Sequence, residues 1–264
     1  MSSADKVLRM LALFTAARPV WSPETAARQA GVSKATGYRY FQSLMEAGLI
    51  ERIARNRYAL GPAIIEFDRQ IRQGDPILKT AVPVMDHLLR ECGGMAATIL
   101  LCRLYRARVM CVHAESNRAI SISSYERGRP RPLLRGATSK IILAHLPPRM
   151  LDALWRERRK EIVASGLGAD LDGFKAQLRD IRAAGLCVGH GEVDAGRIGM
   201  AAPVFDRDGD IVGSLSVVIA DTQATRKTVA RLSNLLSAQA RRLSWTIQPE
   251  RVPARPRKTT KAAA

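Results

Sequence analysis

Ser33-Lys34-Ala35-Thr36-Gly37-Tyr38-Arg39-Tyr40-Phe41-Gln42-Ser43-Leu44-Met45-Glu46-Ala47-Gly48 decides how this chain begins. Ser33 is a good helix N-cap, and Gly48 is the residue type that most readily stops a helix. Between them Tyr40, Phe41, Leu44 and Met45 fall at helical spacing, so one face packs inward. Lys34, Ala35, Thr36, Tyr38 and Arg39 are left on the outside of the first turns. Gly37 is out of place, since glycine costs roughly 1 kcal/mol relative to alanine inside a helix. Two readings of it stay open, a close backbone approach to nucleic acid and an accident of sequence.

Upstream, Val7, Leu8, Met10, Leu11, Leu13 and Phe14 make an apolar helix that ends at Arg18-Pro19. Ser22-Pro23-Glu24 opens a second, shorter helix with a cap, a proline at the first helical position and an acid in the first turn, and Gly31 stops it. Two short helices joined at Val32, the second opening with small, polar and basic residues, form a helix-turn-helix. The N-terminal end of its second helix is the part that meets base edges. Lys34, Ala35, Thr36, Tyr38 and Arg39 are therefore the readout candidates, with Ser33 placed at a phosphate.

After Gly48 the run Leu49 to Leu60 alternates and turns, with Ala54, Arg55 and Asn56 near the tip of a hairpin. Arg52, Arg55, Asn56 and Arg57 on such a wing are placed to meet phosphates, although a basic turn is often only a solvated one. The first 62 residues are thus expected to form a winged helix-turn-helix domain.

Length and composition bound the rest. At 264 residues, 47% of them hydrophobic, the chain suits about two domains with real cores. A net charge of +18 and a pI of about 10.7 point to an anionic partner. That charge is spread: residues 1–61 hold nine Lys or Arg against four acids, and the last sixteen hold five against one. It favours nucleic acid without locating the site.

No apolar run approaches the roughly 20 residues of a membrane span, and the N-terminus has no signal-peptide pattern, so a cytoplasmic protein with no membrane partner is expected. Cys92, Cys102, Cys111 and Cys187 form no C-x-x-C pair and read as buried reduced thiols. His87, His113, His145 and His190 are scattered, so no metal and no cofactor are expected.

Residues 63–80 read as a linker. Ala63 to Arg72 has helical periodicity between Gly61-Pro62 and Gly74-Asp75-Pro76. Its apolar face needs burial, against a second copy or against its own domain, and the dimer is the favoured choice. Residues 81–248 mix element types. Helices are expected at Ala81–Leu89, Arg135–Leu146, Arg149–Ile162, Leu171–Ala184 and Gln223–Trp245. Strands are expected at Met95–Leu104, Arg108–Ala114, Ala119–Ser124, Leu186–Glu192, Arg197–Phe205 and Ile211–Ala220, the last two joined by Asp206-Arg207-Asp208-Gly209-Asp210. That order implies an α+β fold, a mainly antiparallel sheet with helices packed on it. The tail, 249–264, is Pro-, Lys-, Arg- and Ala-rich and expected to be disordered, either adding nonspecific DNA affinity or serving solubility alone.

The segments Ala137-Thr138-Ser139-Lys140-Ile141-Ile142-Leu143-Ala144, Gly185-Leu186, Gly191-Glu192-Val193-Asp194-Ala195-Gly196, Ala201-Ala202-Pro203-Val204-Phe205-Asp206 and Gly213 to Val218 follow one another behind a winged helix. In this order they resemble the IclR family of bacterial transcriptional regulators, from about Lys6 to Trp245. The resemblance implies a DNA-binding domain, a linker helix and a GAF-like effector domain, assembled as a homodimer or a dimer of dimers on double-stranded operator DNA. It also implies an effector site at Ile120 and Ser123 on a strand, Arg131, Ala137 and Thr138, Gly189, Arg197 and Gly199, and Ser216 and Val218. Helix-opening amides at Ala137 and Thr138 suit an anion, and Arg135 with Arg197 suits a carboxylate, so a small organic acid, aromatic ones included, is the expected effector. Ser139 replaces a glycine common before the lysine of the helix-opening motif, and Val218 a frequent polar residue, so no relative's effector transfers directly. Glycines 189, 191, 196 and 199 serve either that pocket or merely tight turns and strand packing.

No catalytic residues are identified. Arg135-Gly136-Ala137-Thr138-Ser139-Lys140 lacks the spacing of a phosphate loop, and no nucleophile elbow occurs. The rival classes are a small-molecule enzyme with an accessory DNA-binding domain and an effector-independent DNA-architectural protein.

Overall fold

Residues 2–118 and 123–246 are described by the computed structural model. The basic tail at 249–264 and Ile120 lie outside them, as does most of the strand expected at 119–124. Its last two residues, Ser123 and Ser124, form a bend, so Ser123 does not sit on a strand. The chain divides into two compact units between Asp75 and Pro76.

In the first unit α1 (Ser3–Leu11), α2 (Pro23–Ala30) and α3 (Lys34–Glu46) surround a small core of Met10, Phe14, Trp21, Ala26, Ala27, Tyr40, Phe41, Leu44 and Ile50. Ser22 caps α2 with its hydroxyl on the Thr25 amide, Pro23 takes the first turn, and Gly31 ends the helix at φ 68°. Ser33 caps α3 in the same way through the Thr36 amide. The wing is β1 (Ile50–Ala54) paired antiparallel with β2 (Arg57–Leu60), and Asn56 turns it at φ 57°. A two-stranded ribbon is marginal by itself. Here Trp21 adds a third element, exchanging both backbone hydrogen bonds with Tyr58 at 3.0 and 2.9 Å. The Trp21 indole also donates to the Leu13 carbonyl at 2.9 Å. α4 (Ala63–Gly74) follows the wing, with no buried residue.

The second unit is one six-stranded sheet with helices on both faces. Its strands are β3 (Ala97–Tyr105), β4 (Arg108–Ser116), β5 (Pro130–Pro132), β6 (Cys187–His190), β7 (Arg197–Phe205) and β8 (Ile211–Ala220). The spatial order is β5-β4-β3-β8-β7-β6, every pair antiparallel. Strict alternation assigns the faces. Ile99 and Leu101 of β3, Met200 and Ala202 of β7, and Leu215, Val217 and Ile219 of β8 pack against α5 (Pro76–Glu91) and α9 (Arg226–Thr246). Leu100 and Cys102 face the other way, towards α6 (Ala137–Ala144), α7 (Pro148–Ala164) and α8 (Leu171–Ala184).

The interior beneath α6 is partly polar. Ser214, Ser216 and Thr138 are buried there, with Thr138 Oγ1 donating to Ser216 Oγ at 3.1 Å and Ser214 Oγ to the Thr138 carbonyl at 3.2 Å. These bonds satisfy the hydroxyls and hold α6 in one position on the sheet. All four cysteines are free and buried. α5 starts at Pro76 rather than Ala81, so Pro76 to Thr80, expected in the linker, belong to a helix of the second unit. α6 is shorter than expected because Gly136, at φ 84° and ψ 150°, breaks the helix before Ala137.

Candidate functional site

The first unit presents α3 and the wing. Ser33, Lys34, Ala35, Tyr38 and Arg39 are exposed and Thr36 is half-buried. Arg52, Arg55, Asn56 and Arg57 are all exposed on the wing. Ser33 is occupied as the α3 cap and also donates from Oγ to Thr36 Oγ1 at 2.9 Å, so those two residues order the first turn. Gly37 is buried, and its close approach is to protein rather than to nucleic acid. A Cβ there would lie 2.6 Å from Ala27 Cβ and 2.9 Å from the Pro23 carbonyl oxygen, so α2 and α3 meet backbone to side chain at this point. Of the two readings left open from sequence, neither anticipated this helix–helix contact.

Glu24, at the start of α2, joins the pieces of this surface. Its carboxylate accepts from the Tyr38 hydroxyl and from Asn56 Nδ2 (2.9 Å), and Lys34 Nζ lies 3.4 Å away. Three expected DNA-contacting side chains, two on α3 and one on the wing, thus share one acid. These bonds, with Tyr38's the strongest, hold the Glu24 carboxyl down at about 2. Sequence reading took Glu24 only as a first-turn acid. Gln42 is also exposed on α3, one turn beyond Tyr38, and is not among the residues designated from sequence.

In the second unit the sequence-designated residues converge beneath the N-terminus of α6. Ser123, Ala137, Thr138, Gly189, Arg197, Gly199 and Val218 line one small cavity of about 40 Å³. Gly189 and Gly199 face each other across β6 and β7. A Cβ on Gly189 would sit 3.3 Å from the Ala137 amide nitrogen, and one on Gly199 3.8 Å from Ala137 Cβ. Absent side chains on this pair therefore make the room below α6. Gly191 also borders the cavity, but it and Gly196 serve the turn between the strands as well, taking φ of 62° and 69°.

Three designated residues stand elsewhere, and a fourth, Ile120, lies outside the described residues. Arg131 is on β5 and does not itself line the cavity, its guanidinium carbon lying 5.2 Å from the centre of the Tyr125 ring. Ser216 is one layer deeper, under Thr138. Arg135 lines a neighbouring outer groove and donates to the Glu192 carbonyl at 2.7 Å, so Arg135 and Arg197 do not close as a two-arginine clamp on one cavity.

Residues missed from sequence complete the wall: Tyr125, Gly136, Glu192, Val193 and Asp194. Asp194 Oδ2 accepts from the Ser124 amide at 2.9 Å, tying the bend to the glycine-rich turn. Burial pushes the Tyr125 hydroxyl up to about 12, so it stays protonated, 3.4 Å from Ser139 Oγ. Glu192 Oε2 lies 2.7 Å from Lys140 Nζ and accepts from the Gly136 amide at 3.1 Å. Burial alone raises the Glu192 carboxyl, but Lys140 and the Gly136 amide outweigh it and hold it below its ordinary value. The two acids of Gly191-Glu192-Val193-Asp194-Ala195-Gly196 were the available signal, since no tight turn needs both.

A larger groove of about 830 Å³ lies by the end of α9, lined by His145, Arg182, Phe205, Arg241 and Trp245 among others, and none of the designated residues borders it. Among the described residues no helix is long and apolar enough to cross a membrane, and no cluster of metal-ligating side chains occurs.

The bacterial transcriptional regulator IclR C-terminal family matches residues 70–245, and the IclR helix-turn-helix domain matches residues 3–54. The chain belongs to the IclR family. Among IclR-family relatives, the HTH-type transcriptional regulator KipR of Bacillus subtilis is 26% identical over 220 residues, covering 82% of this chain and 86% of that one. An IclR transcriptional regulator from Silicibacter sp. TM1040 shares the fold with a TM-score of 0.75 at 23% identity, covering 92% of this chain and 95% of the other. An IclR homolog from Microbacterium hydrocarbonoxydans, complexed with 4-hydroxybenzoate, gives a TM-score of 0.71 at 19% identity over 93% and 98% of the two chains. The protein is therefore an IclR-type transcriptional regulator with an N-terminal DNA-binding helix-turn-helix and a C-terminal effector domain.

Proposed function

We propose that this regulator binds its operator as a homodimer or dimer of dimers, and that a small organic acid, aromatic carboxylates among the candidates, modulates that binding to control a catabolic operon. The observation that carries the acid reading is the cavity under α6. Its roof carries helix-opening amides at Ala137 and Thr138, and Lys140 and Arg197 supply positive charge beside it. A solved IclR homolog that holds 4-hydroxybenzoate supports the ligand class. Dimerisation is supported by α4, where Phe67 and Ile71 are 47% and 58% exposed, four residues apart on one face, in a helix with nothing buried. In this reading residues 1–62 read DNA with Ser33, Lys34, Ala35, Thr36, Tyr38, Arg39 and the wing, α4 connects, and the unit that begins at Pro76 senses.

The test is a gel shift on the intergenic DNA upstream of the gene, titrated with benzoate, 4-hydroxybenzoate and aliphatic acids. Operator binding that responds to an acid supports the reading. Binding that persists unchanged in every acid moves the protein to the effector-independent class, and turnover of an acid without DNA binding moves it to the enzyme class. Calorimetry on Arg197→Ala checks the carboxylate contact, which falls if acid binding is unchanged.

A further inference from the structure

The carboxylate best placed under α6 is the protein's own. Glu192 holds both groups an incoming acid needs there, Lys140 Nζ at 2.7 Å and the Gly136 amide at 3.1 Å. Its side chain is only 28% exposed and that of Lys140 16%. On the inner side of this ion pair is the cavity of about 40 Å³, and on the outer side a groove of about 680 Å³. Glu192 lines both, and Arg135, Lys140 and Arg158 line the groove. A cavity of about 150 Å³ is what accommodates a benzene ring, and the inner space is far smaller. A carboxylate attached to an aromatic ring has no room until a wall moves, and Glu192 is the wall between the two spaces.

We propose that Glu192 is a built-in competitor for the effector: an organic anion arrives through the outer groove, and its carboxylate displaces that of Glu192 from Lys140 and the Gly136 amide. The inference rests on the acid-effector reading above and adds the route, the exchange and the selectivity. Exchange of one carboxylate for another leaves the lysine paired throughout, so the large cost of a bare, mostly buried ammonium is never incurred. A neutral ligand of the same shape offers no such replacement and is rejected, because Lys140 and Glu192 stay locked. The displaced Glu192 sits in a turn with left-handed glycines at 191 and 196, which have no side-chain penalty to overcome in rearranging. That turn also carries Asp194, whose bond to the Ser124 amide passes the movement to the neighbouring bend.

Glu192→Gln tests this, since glutamine keeps the size and the acceptor oxygen but not the charge. Benzoate, 4-hydroxybenzoate and the uncharged benzamide are titrated calorimetrically into the full-length wild type and variant. The expected result is that the two acids bind the variant at least about tenfold more tightly than the wild type, while benzamide binds the wild type no better than background. If the wild type binds an acid and the variant binds it equally or more weakly, the competitor role is overturned and the acid reading stands. If neither protein binds any acid, both fall together. A wild-type crystal soaked in benzoate answers without a variant: a benzoate carboxylate on Lys140 with Glu192 moved off supports the exchange, and Glu192 still on Lys140 beside bound benzoate overturns it.

Discussion

Tyr38 donates its phenolic hydrogen to Glu24, and this bond ties the exposed side of α3 to the first turn of α2. Asn56 reaches the same carboxylate from the wing at 2.9 Å. An acid on the surface proposed to face DNA repels phosphates, so its presence is explained by what it orders. It presents Tyr38, Lys34 and Asn56 in one arrangement and gives up some nonspecific attraction in return.

Glu24→Gln is therefore expected to tighten binding to scrambled DNA and to lower the preference for operator over scrambled duplex. Fluorescence anisotropy with both duplexes at one salt concentration checks it. The acid limb of stability changes too. The Glu24 carboxyl titrates at about 2 in the folded unit against 4.5 ordinarily, so its contribution is complete above about 4.5 and lost as the pH falls from there through about 2. The variant is expected to lose less stability than the wild type across that window in a chemical-denaturation series.

Gly37→Ala separates two opposing effects. Helix propensity alone predicts a gain of about 1 kcal/mol. The new methyl meets Ala27 Cβ at 2.6 Å, and overpacking of this kind costs roughly 1–3 kcal/mol. Net destabilisation with weaker operator binding is expected, measured by urea unfolding of the chain; a gain in stability would show that α2 yields easily.

Arg55→Ala and Arg57→Ala probe the wing. Each residue that meets a phosphate contributes roughly one unit to the slope of log affinity against log salt. The double variant should lower affinity on operator and scrambled DNA alike and flatten that slope by up to about two units. An unchanged slope returns the wing to a solvated turn.

Phe67→Glu with Ile71→Glu addresses assembly. Both side chains are exposed, so their replacement leaves the fold of the first unit intact. Sedimentation velocity is expected to show a smaller species than the wild type, together with operator affinity reduced by at least about tenfold, since one half-site then binds without its partner.

How far the sequence disclosed all this depended on how local each cause was. α8, β7 and β8 were readable to the residue, because Asp170 and Gly185 cap the helix and two mostly apolar runs flank a turn at Gly209. β5 was invisible. It is three residues long with a proline at each end, and it survives only as an edge strand beside β4, where a missing donor is tolerated. The same contrast governs the sites. Ala137, Gly189 and Gly199 were found from motif position, whereas Glu192 gains its meaning from Lys140 and Gly136, more than fifty residues away, and Glu24 from Asn56, thirty-two residues on. Gly37 was noticed as an oddity, but its partner Ala27 is a neighbour only after α2 and α3 have packed.

The pairing of Trp21 with Tyr58 limits what a signal to the DNA end can be. The wing is stitched to the segment before α2, the Trp21 indole is hydrogen-bonded to Leu13 just past α1, and Tyr58 packs edge-on against Phe41 of α3, so wing and recognition helix are braced to move together. The reading head behaves as a single casting. In the proposed dimer, control of such a part would act by placing it in or out of register with a second copy, and would leave the shape of its cutting edge unchanged.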